Sequence, residues 1–435
     1  MTIPFSLEQE SFFGPDPVLA PNVAVAYRLA GPLNLGVLRR ASFLLLERHE
    51  GLRFRLVEGQ PPAQLIAPPA EIDLDAEAVQ LEWLGEHLAQ ASRIPLDLYR
   101  EGPLRIRLYR IGHDDHVFSV TAHPSALDAW GTGIFNREFW ALYRGLRSDE
   151  QFRLPSLPLT FTDHVRRQHD VGSQLTPAQR GYYRQQLDDL THMPLPWQHG
   201  EQPGTLLAHE PFTLDPILMR NVVQAAKDLR VTIAAVFLAA FQLALAITAG
   251  TDGGGLSCIY LGRDQAGTEG MAAAIARRVP LRFETTPATR LGDFIQQTMQ
   301  AWAIAVSNSA PPYSSSRLVR ALGGRADSLE PVFNLRVAGR AGAAGSGRPS
   351  GQPELRVSPV ESPHPRPIPM WPQFGRAALF ALVTLGARPA ITPIYDSSQV
   401  PESVARPVFA SYRRVVSAVA DGQLGLTASE LSVDH

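Results

Sequence analysis

The sequence predicts an α/β protein (α+β in the arrangement of its mixed sheets and helices) that is divided into two lobes. Its 435 residues are too many for one ordinary hydrophobic core, and two lobes of roughly 200 residues each are expected. Short segments typical of strands are interspersed with longer segments whose apolar residues recur at helical spacing. A stretch with three prolines and two glycines, at about 192–204, is expected to link the lobes. We therefore divide the chain into an N-terminal lobe, 1–175, and a C-terminal lobe, 176–435.

In the first lobe, capping residues and apolar spacing predict the helices. Ser6 and Asn34 are suitable caps, and Gly112 to Asp115 are turn residues between two strand-like segments. The predicted helices are Ser6–Phe12, Asn34–His49, a helix from Trp130, and Phe161–Gln168. The predicted strands are Asn22–Leu29, Arg53–Val57, Ala63–Ala67, Leu104–Ile111 and His116–Ala122.

In the second lobe, two helix starts have a capping residue followed by proline, Thr176-Pro177 and Asp215-Pro216. The predicted helices are Thr176–Leu190, Asp215–Leu229, Thr232–Ile247, Leu291–Val306 and Glu402–Ala420. The predicted strands are Leu256–Leu261, Arg278–Phe283, Pro331–Leu335, Ala377–Leu385 and Pro393–Ser398. The segment 340–353 is rich in Gly, Ala and Ser, and we expect it to be a flexible loop.

Composition excludes several classes of protein. The formal net charge of −2 gives no electrostatic argument for nucleic acid or an anionic membrane. The single cysteine, Cys258, excludes an internal disulfide and a multi-cysteine metal site, and the histidines have no metal-site spacing. The uncharged run from Val231 to Thr251 is expected to be a buried helix, since its apolar core is too short for a membrane span. With no visible signal peptide, we expect a cytoplasmic protein.

One loop between a strand and a helix carries the residues that are most suited to chemistry. Val117–Ala122 reads as a buried strand, and from Trp130 onward aromatic and aliphatic residues recur at helical spacing. Between them lies His123-Pro124-Ser125-Ala126-Leu127-Asp128-Ala129. A loop held between two rigid elements is a common place for functional side chains.

This loop resembles the HHxxxDG signature of the condensation domains of non-ribosomal peptide synthetases. Laid on it without a gap, His123 takes the first His, Pro124 the second and Asp128 the Asp. Ala129 takes the Gly, and Trp130 the Trp that often follows. The departure is at the second position, where the family has the histidine that acts as base or positions the attacking group. Proline has neither a titratable group nor an N–H.

Weaker motifs extend the resemblance over nearly the whole chain. Arg48–Arg55 is close to the family's RHExLRTRF, and Phe161–Gln168 is similar to its aromatic-x-Asp-aromatic-x-x-x-Gln helix. Gly262-Arg263 matches the family's "GR" at a strand end, and Pro331–Leu335 its "PLFQV" strand. The resemblance implies two chloramphenicol-acetyltransferase-like lobes, each a mixed β-sheet covered by helices, with a tunnel between them. Phosphopantetheine arms of carrier proteins would enter this tunnel from either side.

The resemblance places the candidate catalytic residues at His123, Pro124 and Ser125. Pro124 would occupy the position of the usual imidazole, so general-base catalysis, worth about 10²–10⁴-fold, would be missing. In the family the first His mostly holds the loop, which is the role expected for His123. His123 or Ser125 could alternatively serve as a substitute base.

Four further residues are expected to form the frame of this loop. In the family the Asp pairs with the Arg of the LRTRF strand, so an Asp128–Arg53 salt bridge is expected. Ala129 in place of Gly suggests a different backbone conformation or a narrower passage. Trp130 is expected to serve in packing rather than to contact substrate.

Two functions remain open at this point. The resemblance implies a stand-alone condensation-domain-like protein of non-ribosomal peptide or polyketide (antibiotic) biosynthesis. In one alternative it joins carrier-bound acyl or aminoacyl thioesters to an amine or alcohol by an atypical mechanism. In the other it is a non-catalytic scaffold that binds acyl or peptidyl carrier proteins or recruits a tailoring enzyme. The implied cofactor is the carrier protein's phosphopantetheine arm, with none bound by this chain, and a monomer is expected.

Overall fold

The computed structural model describes residues 2–13, 22–59, 63–149, 151–170, 175–187, 193–197, 206–309, 329–337, 355–360 and 376–432. They form two compact units. The first comprises the described residues within Met1–Ser173, Leu261–Ala276 and Gly339–Trp371. The second comprises those within Gln174–Tyr260, Arg277–Ala338 and Pro372–His435.

The first unit contains two sheets. Its strands, numbered along the whole chain, are β1 Thr2–Ile3, β2 Val23–Ala30, β3 Phe54–Val57, β4 Ala63–Ile66, β5 Glu77–Ala78, β6 Leu104–Gly112, β7 Asp115–Ala122 and β13 Arg356–Pro359. The small sheet has the order β1-β4-β3, and the larger one the order β13-β2-β7-β6-β5. Strand β7 is central and antiparallel to both neighbours, which explains why its side chains are almost all buried.

The described residues of the first unit also form the helices α1 Glu10–Phe13, α2 Leu35–Arg48, α3 Leu84–Arg93, α4 Ala129–Ser148 and α5 Phe161–Asp170. Helices α2 and α4 contribute most of the helical side of the main core, which also contains side chains from β6 and β7. Within it, Phe118 stacks on Phe139 with ring centroids 4.6 Å apart. This packing places the start of α4 directly after the end of β7.

The second unit is built on one seven-stranded mixed sheet. Its strands are β8 Leu207–Ala208, β9 Phe212–Thr213, β10 Gly253–Tyr260, β11 Arg277–Glu284, β12 Leu329–Val337, β14 Arg376–Leu385 and β15 Ala390–Tyr395. The order is β11-β10-β12-β14-β15-β8, and β9 also pairs with β15. Strand β12 is parallel to β10 and β14, whereas the other pairs are antiparallel.

The helices of the second unit are α6 Pro177–Leu187, α7 Pro216–Asp228, α8 Ile233–Ala249, α9 Leu291–Asn308, α10 Glu402–Ala420 and α11 Ala428–Ser432. The predicted uncharged helix is α8, and most of its side chains are buried in the core of this unit. Among the described helices no single one is long and apolar enough to cross a membrane. Only α7 and α8 taken together reach that length and composition, and they are bent by 101°.

The predicted fold class is confirmed, because both units are mixed β-sheets covered by helices. The expected continuous lobes, 1–175 and 176–435, differ from the observed units in two respects. The segment 261–276, which we call the crossover segment, leaves the second unit after β10 and belongs to the first. Strand β13 pairs with β2 and also belongs to the first unit. The predicted loop at 340–353, and most of the linker at 192–204, lie outside the described residues.

Candidate functional site

The loop from His123 to Asp128 connects β7 to α4 in the first unit. The His123 N–H donates to the carbonyl of Pro103 at 2.8 Å, and the Ala126 N–H donates to the carbonyl of His123 at 2.8 Å. At the other end Asp128 is the N-cap of α4, and its Oδ1 accepts from the N–H of Gly131 at 2.6 Å. Both ends of the loop are therefore fixed by hydrogen bonds.

The carboxylate of Asp128 is buried and is held by four donors. Besides the N–H of Gly131, its oxygens accept from Arg263 Nη2 at 3.0 and 3.1 Å. The backbone N–H groups of Ile275 and Ala276 donate to Oδ2 at 2.9 and 2.8 Å. A buried carboxylate that is paired and hydrogen-bonded in this way is a rigid structural anchor.

The expected salt bridge between Asp128 and Arg53 is wrong. Arg53 Nε donates to the carbonyl of Leu46 at 2.9 Å, and its Nη1 donates to the carbonyl of Ala67. The partner of Asp128 is Arg263, the arginine of the "GR" match. Arg53 thus ties the end of α2 to the segment after β4, and among the described residues no hydrogen bond or salt bridge joins it to the loop.

The crossover segment is held along its whole length by the first unit. Arg263, near its start, and the N–H groups of Ile275 and Ala276, at its end, bind the same carboxylate. His164 Nδ1 lies 3.0 Å from Gln265 Oε1, and the N–H of Ala272 donates to His49 Nδ1 at 3.3 Å. Asp128 therefore closes the segment into a fixed loop against α4.

His123 is mostly buried and lies against two phenylalanines. Its ring stacks on Phe13 at a centroid distance of 5.6 Å and meets the edge of Phe12 at 5.7 Å. The N–H of Ser125 donates to Nδ1 at 3.2 Å, and Ser125 Oγ lies 2.6 Å from the same nitrogen. Nδ1 is therefore the acceptor. Burial lowers the pKa of His123 to about 4, so the imidazole is neutral and only weakly basic at pH 7.

The other two candidate catalytic residues lie in the same loop but offer little chemistry. Pro124 is buried. Ser125 is only 1% exposed, and its hydroxyl lies within hydrogen-bond distance of His123 Nδ1. The geometry of these three consecutive residues supports loop holding better than proton transfer.

Ala129 and Trp130 begin helix α4. Ala129 is the first residue of α4, and it is absent from the described non-glycine residues with positive φ. No left-handed conformation is needed there. Trp130 is 43% exposed and donates from Nε1 to the carbonyl of Glu269 at 3.0 Å. The indole thus lies against the crossover segment on one edge and is open on the rest of its surface.

The sequence does not predict a role for a polar trio beside the crossover segment, in which His49 and Glu138 are buried and Arg48 is half-buried. Glu138 Oε2 accepts from Arg48 Nε at 2.7 Å and lies 2.9 Å from His49 Nε2. Because Ala272 donates to His49 Nδ1, the proton of this ring is on Nε2. Burial lowers the pKa of His49. Burial also opposes ionisation of Glu138, but the hydrogen bonds from His49 and Arg48 hold the pKa of Glu138 below its ordinary value. Arg48 and His49 belong to the RHE motif, which is the feature of the sequence that could have indicated this trio.

Gly131 is the glycine of α4 that the crossover segment requires. A Cβ at this position would lie 2.6 Å from the carbonyl oxygen of Ala273. We expect Gly131→Ala to destabilise the protein by about 1–3 kcal/mol, because helix and segment must separate. The matched control is Gly133→Ala in the same helix, where a Cβ meets nothing within 4 Å. It should stabilise by about 0.5–1 kcal/mol, in line with the helix preference of alanine. Urea unfolding of both variants tests the pair, and equal effects would contradict the close approach.

No group of His, Cys, Asp and Glu residues that could hold a metal ion occurs among the described residues. Ser257, in β10, donates to Glu330 Oε2 at 2.9 Å and is fully buried. Glu330 also pairs with the buried Arg278. This cluster belongs to the sheet of the second unit and has the character of a structural ion pair.

The family model described as "Condensation domain" matches residues 20–340. Chondramide synthase cmdD of Chondromyces crocatus is 30% identical over 283 residues, which are 61% of this chain and 7% of that protein. The chain thus spans less than a tenth of the length of this relative. Among solved structures, the X-domain from teicoplanin biosynthesis has a TM-score of 0.81 at 20% identity, covering 99% of this chain and 97% of that one. The X-domain in complex with OxyB, also from teicoplanin biosynthesis, has a TM-score of 0.79 at 20% identity, covering 100% and 96%.

Proposed function

The chain belongs to the condensation-domain family. We propose that it is a docking protein of non-ribosomal peptide synthesis, which binds carrier proteins and does not catalyse amide or ester bond formation. The observation that carries this proposal is the buried Pro124 at the position of the family's base. The adjacent imidazole of His123 does not replace it, since its Nδ1 is occupied by Ser125 and its pKa is lowered by burial.

A role in recruitment is supported by a structural neighbour as well. The X-domain resembles this chain over its full length and was solved as a complex with OxyB. We propose that the partners here are acyl or peptidyl carrier proteins, with a tailoring enzyme as a further partner. The phosphopantetheine arm belongs to the carrier protein. The single cysteine fits a cytoplasmic setting, which we include in the proposal.

One observation favours a second candidate, an atypical condensation enzyme. The frame of the loop is complete, with Asp128 bound by Arg263 and by backbone N–H groups. A site that holds two tethered substrates close together can accelerate their reaction without a base. This candidate predicts slow but measurable bond formation.

The deciding experiment compares the wild type with Pro124→His. Both are incubated with acyl-loaded carrier proteins encoded in the same gene neighbourhood, and products are followed by intact-mass spectrometry beside a binding titration. We expect the wild type to bind carrier protein and to form no product above the rate without protein. A product from the wild type would overturn the docking proposal in favour of the enzyme. Thermal melting checks that Pro124→His is folded, and activity gained only in this variant would show that the base alone is missing.

A further inference from the structure

Helix α4 presents a basic face with one exposed aromatic side chain. Trp130, Arg137 and Arg144 follow one another at intervals of seven residues, which places them on one side of the helix about 10 Å apart. Trp130 is 43% exposed and the side chain of Arg137 is 64% exposed. Arg144 is half-buried, and Arg147 is exposed near the end of the same side. We call these four residues the α4 face.

The charge of the α4 face is not balanced by its own helix. The only acidic residue of α4 is Glu138, which is buried and already bound to Arg48 and His49. Arg137 lies 3.8 Å from the other oxygen of Glu138, at the limit of an ion pair. Arg144 and Arg147 form no salt bridge with any residue that the structure describes. The excess of arginine here contrasts with the formal net charge of −2 for the whole chain.

Trp130 is exposed although one edge of its ring is hydrogen-bonded. Its Nε1 is bound to the carbonyl of Glu269, so the indole is held in one orientation while much of its surface remains open. Fixing such a side chain beforehand reduces the entropy lost on binding. Tryptophan and arginine are also the residue types that most often dominate the binding energy of protein interfaces.

We propose that the α4 face docks an acidic helix of the carrier protein, with Trp130 as apolar anchor and the arginines paired with carboxylates. This inference rests on the proposed function and assigns it a surface. Arginine binds carboxylates through two parallel hydrogen bonds, which specifies the orientation of the partner helix. Binding through exposed charges should weaken as the salt concentration rises.

The test is a charge reversal with a matched control. Arg137→Glu/Arg144→Glu alters the α4 face, whereas Arg220→Glu/Arg413→Glu makes the same change of net charge at exposed arginines of α7 and α10. The probes are the purified holo carrier proteins encoded in the same gene neighbourhood, titrated by calorimetry at low and moderate salt. We expect at least a tenfold loss of affinity in the first variant and less than a twofold change in the control. Trp130→Ala should also lose affinity at least fivefold, and melting curves check that all variants are folded.

The possible outcomes separate this inference from the proposed function. Unchanged binding of the first variant would overturn the α4 face while leaving carrier docking intact. Equal losses in the first variant and the control would show a general charge effect and would overturn the inference too. If no carrier protein binds the wild type, both proposals fail. Recovery of affinity when acidic residues of the carrier helix are changed to arginine would identify the complementary surface.

Discussion

Replacing Asp128 by alanine is expected to lower the free energy of unfolding of the first unit by about 3–5 kcal/mol. The variant would leave the buried guanidinium of Arg263 without its counter-charge. The backbone N–H groups of Ile275 and Ala276 would lose their acceptor as well. The size of the effect follows from desolvation, because an unpaired charge in this environment has neither water nor a partner.

A double-mutant cycle tests which arginine is the partner. Asp128→Ala is combined with Arg263→Met and, separately, with Arg53→Met, and unfolding in urea is followed by circular dichroism. We expect a coupling free energy of about 1–3 kcal/mol for Arg263 and nearly none for Arg53. Coupling to Arg53 instead would restore the pairing expected from the family motif and would contradict the observed contacts.

The second large expected effect is a decrease in the free energy of unfolding at acidic pH, caused by the protonation of His123. Its pKa is about 4 in the folded protein, against about 6.5 for an unfolded chain, so the unfolded chain binds the proton first. The stability is therefore fully present above pH 6.5 and decreases as the pH falls towards 4. The maximum loss from this residue is about 3 kcal/mol.

His123→Phe provides the comparison, because phenylalanine can occupy the place beside Phe12 and Phe13 without titrating. The free energy of unfolding of the wild type and the variant is measured at pH 7.5, 5.5 and 4.5. The difference between them should change by about 1–3 kcal/mol over this range. The buried His49, whose pKa is also lowered, is present in both proteins and cancels. A difference that stays constant with pH would show that His123 titrates normally.

Much of the loop could be predicted from sequence, because its features are local. A buried strand, a polar loop and a helix with apolar residues at regular spacing follow from short-range patterns, and the structure has them at β7 and α4. The exposure of Trp130 could not be predicted in this way. Helical spacing indicates which side of a helix a residue occupies, but not whether another element covers it.

The partner of Asp128 could not be predicted in the same way. Arg53 and Arg263 both lie in family motifs, and nothing in the local pattern of either one distinguishes them. Which arginine pairs with Asp128 depends on where the crossover segment lies. The amino-acid composition of the chain does not change at the point where this segment passes from one unit to the other.

The contact between Asp128 and Arg263 spans 135 residues of sequence, which has a consequence during synthesis on the ribosome. The ribosome adds about 5–20 residues per second, so Arg263 is synthesised roughly ten seconds after Asp128. Until then a nascent chain can form β7 and α4, but the carboxylate at their junction has no counter-charge. The loop should therefore remain open to water until the crossover segment has been translated, and a fragment ending before residue 261 should never close it.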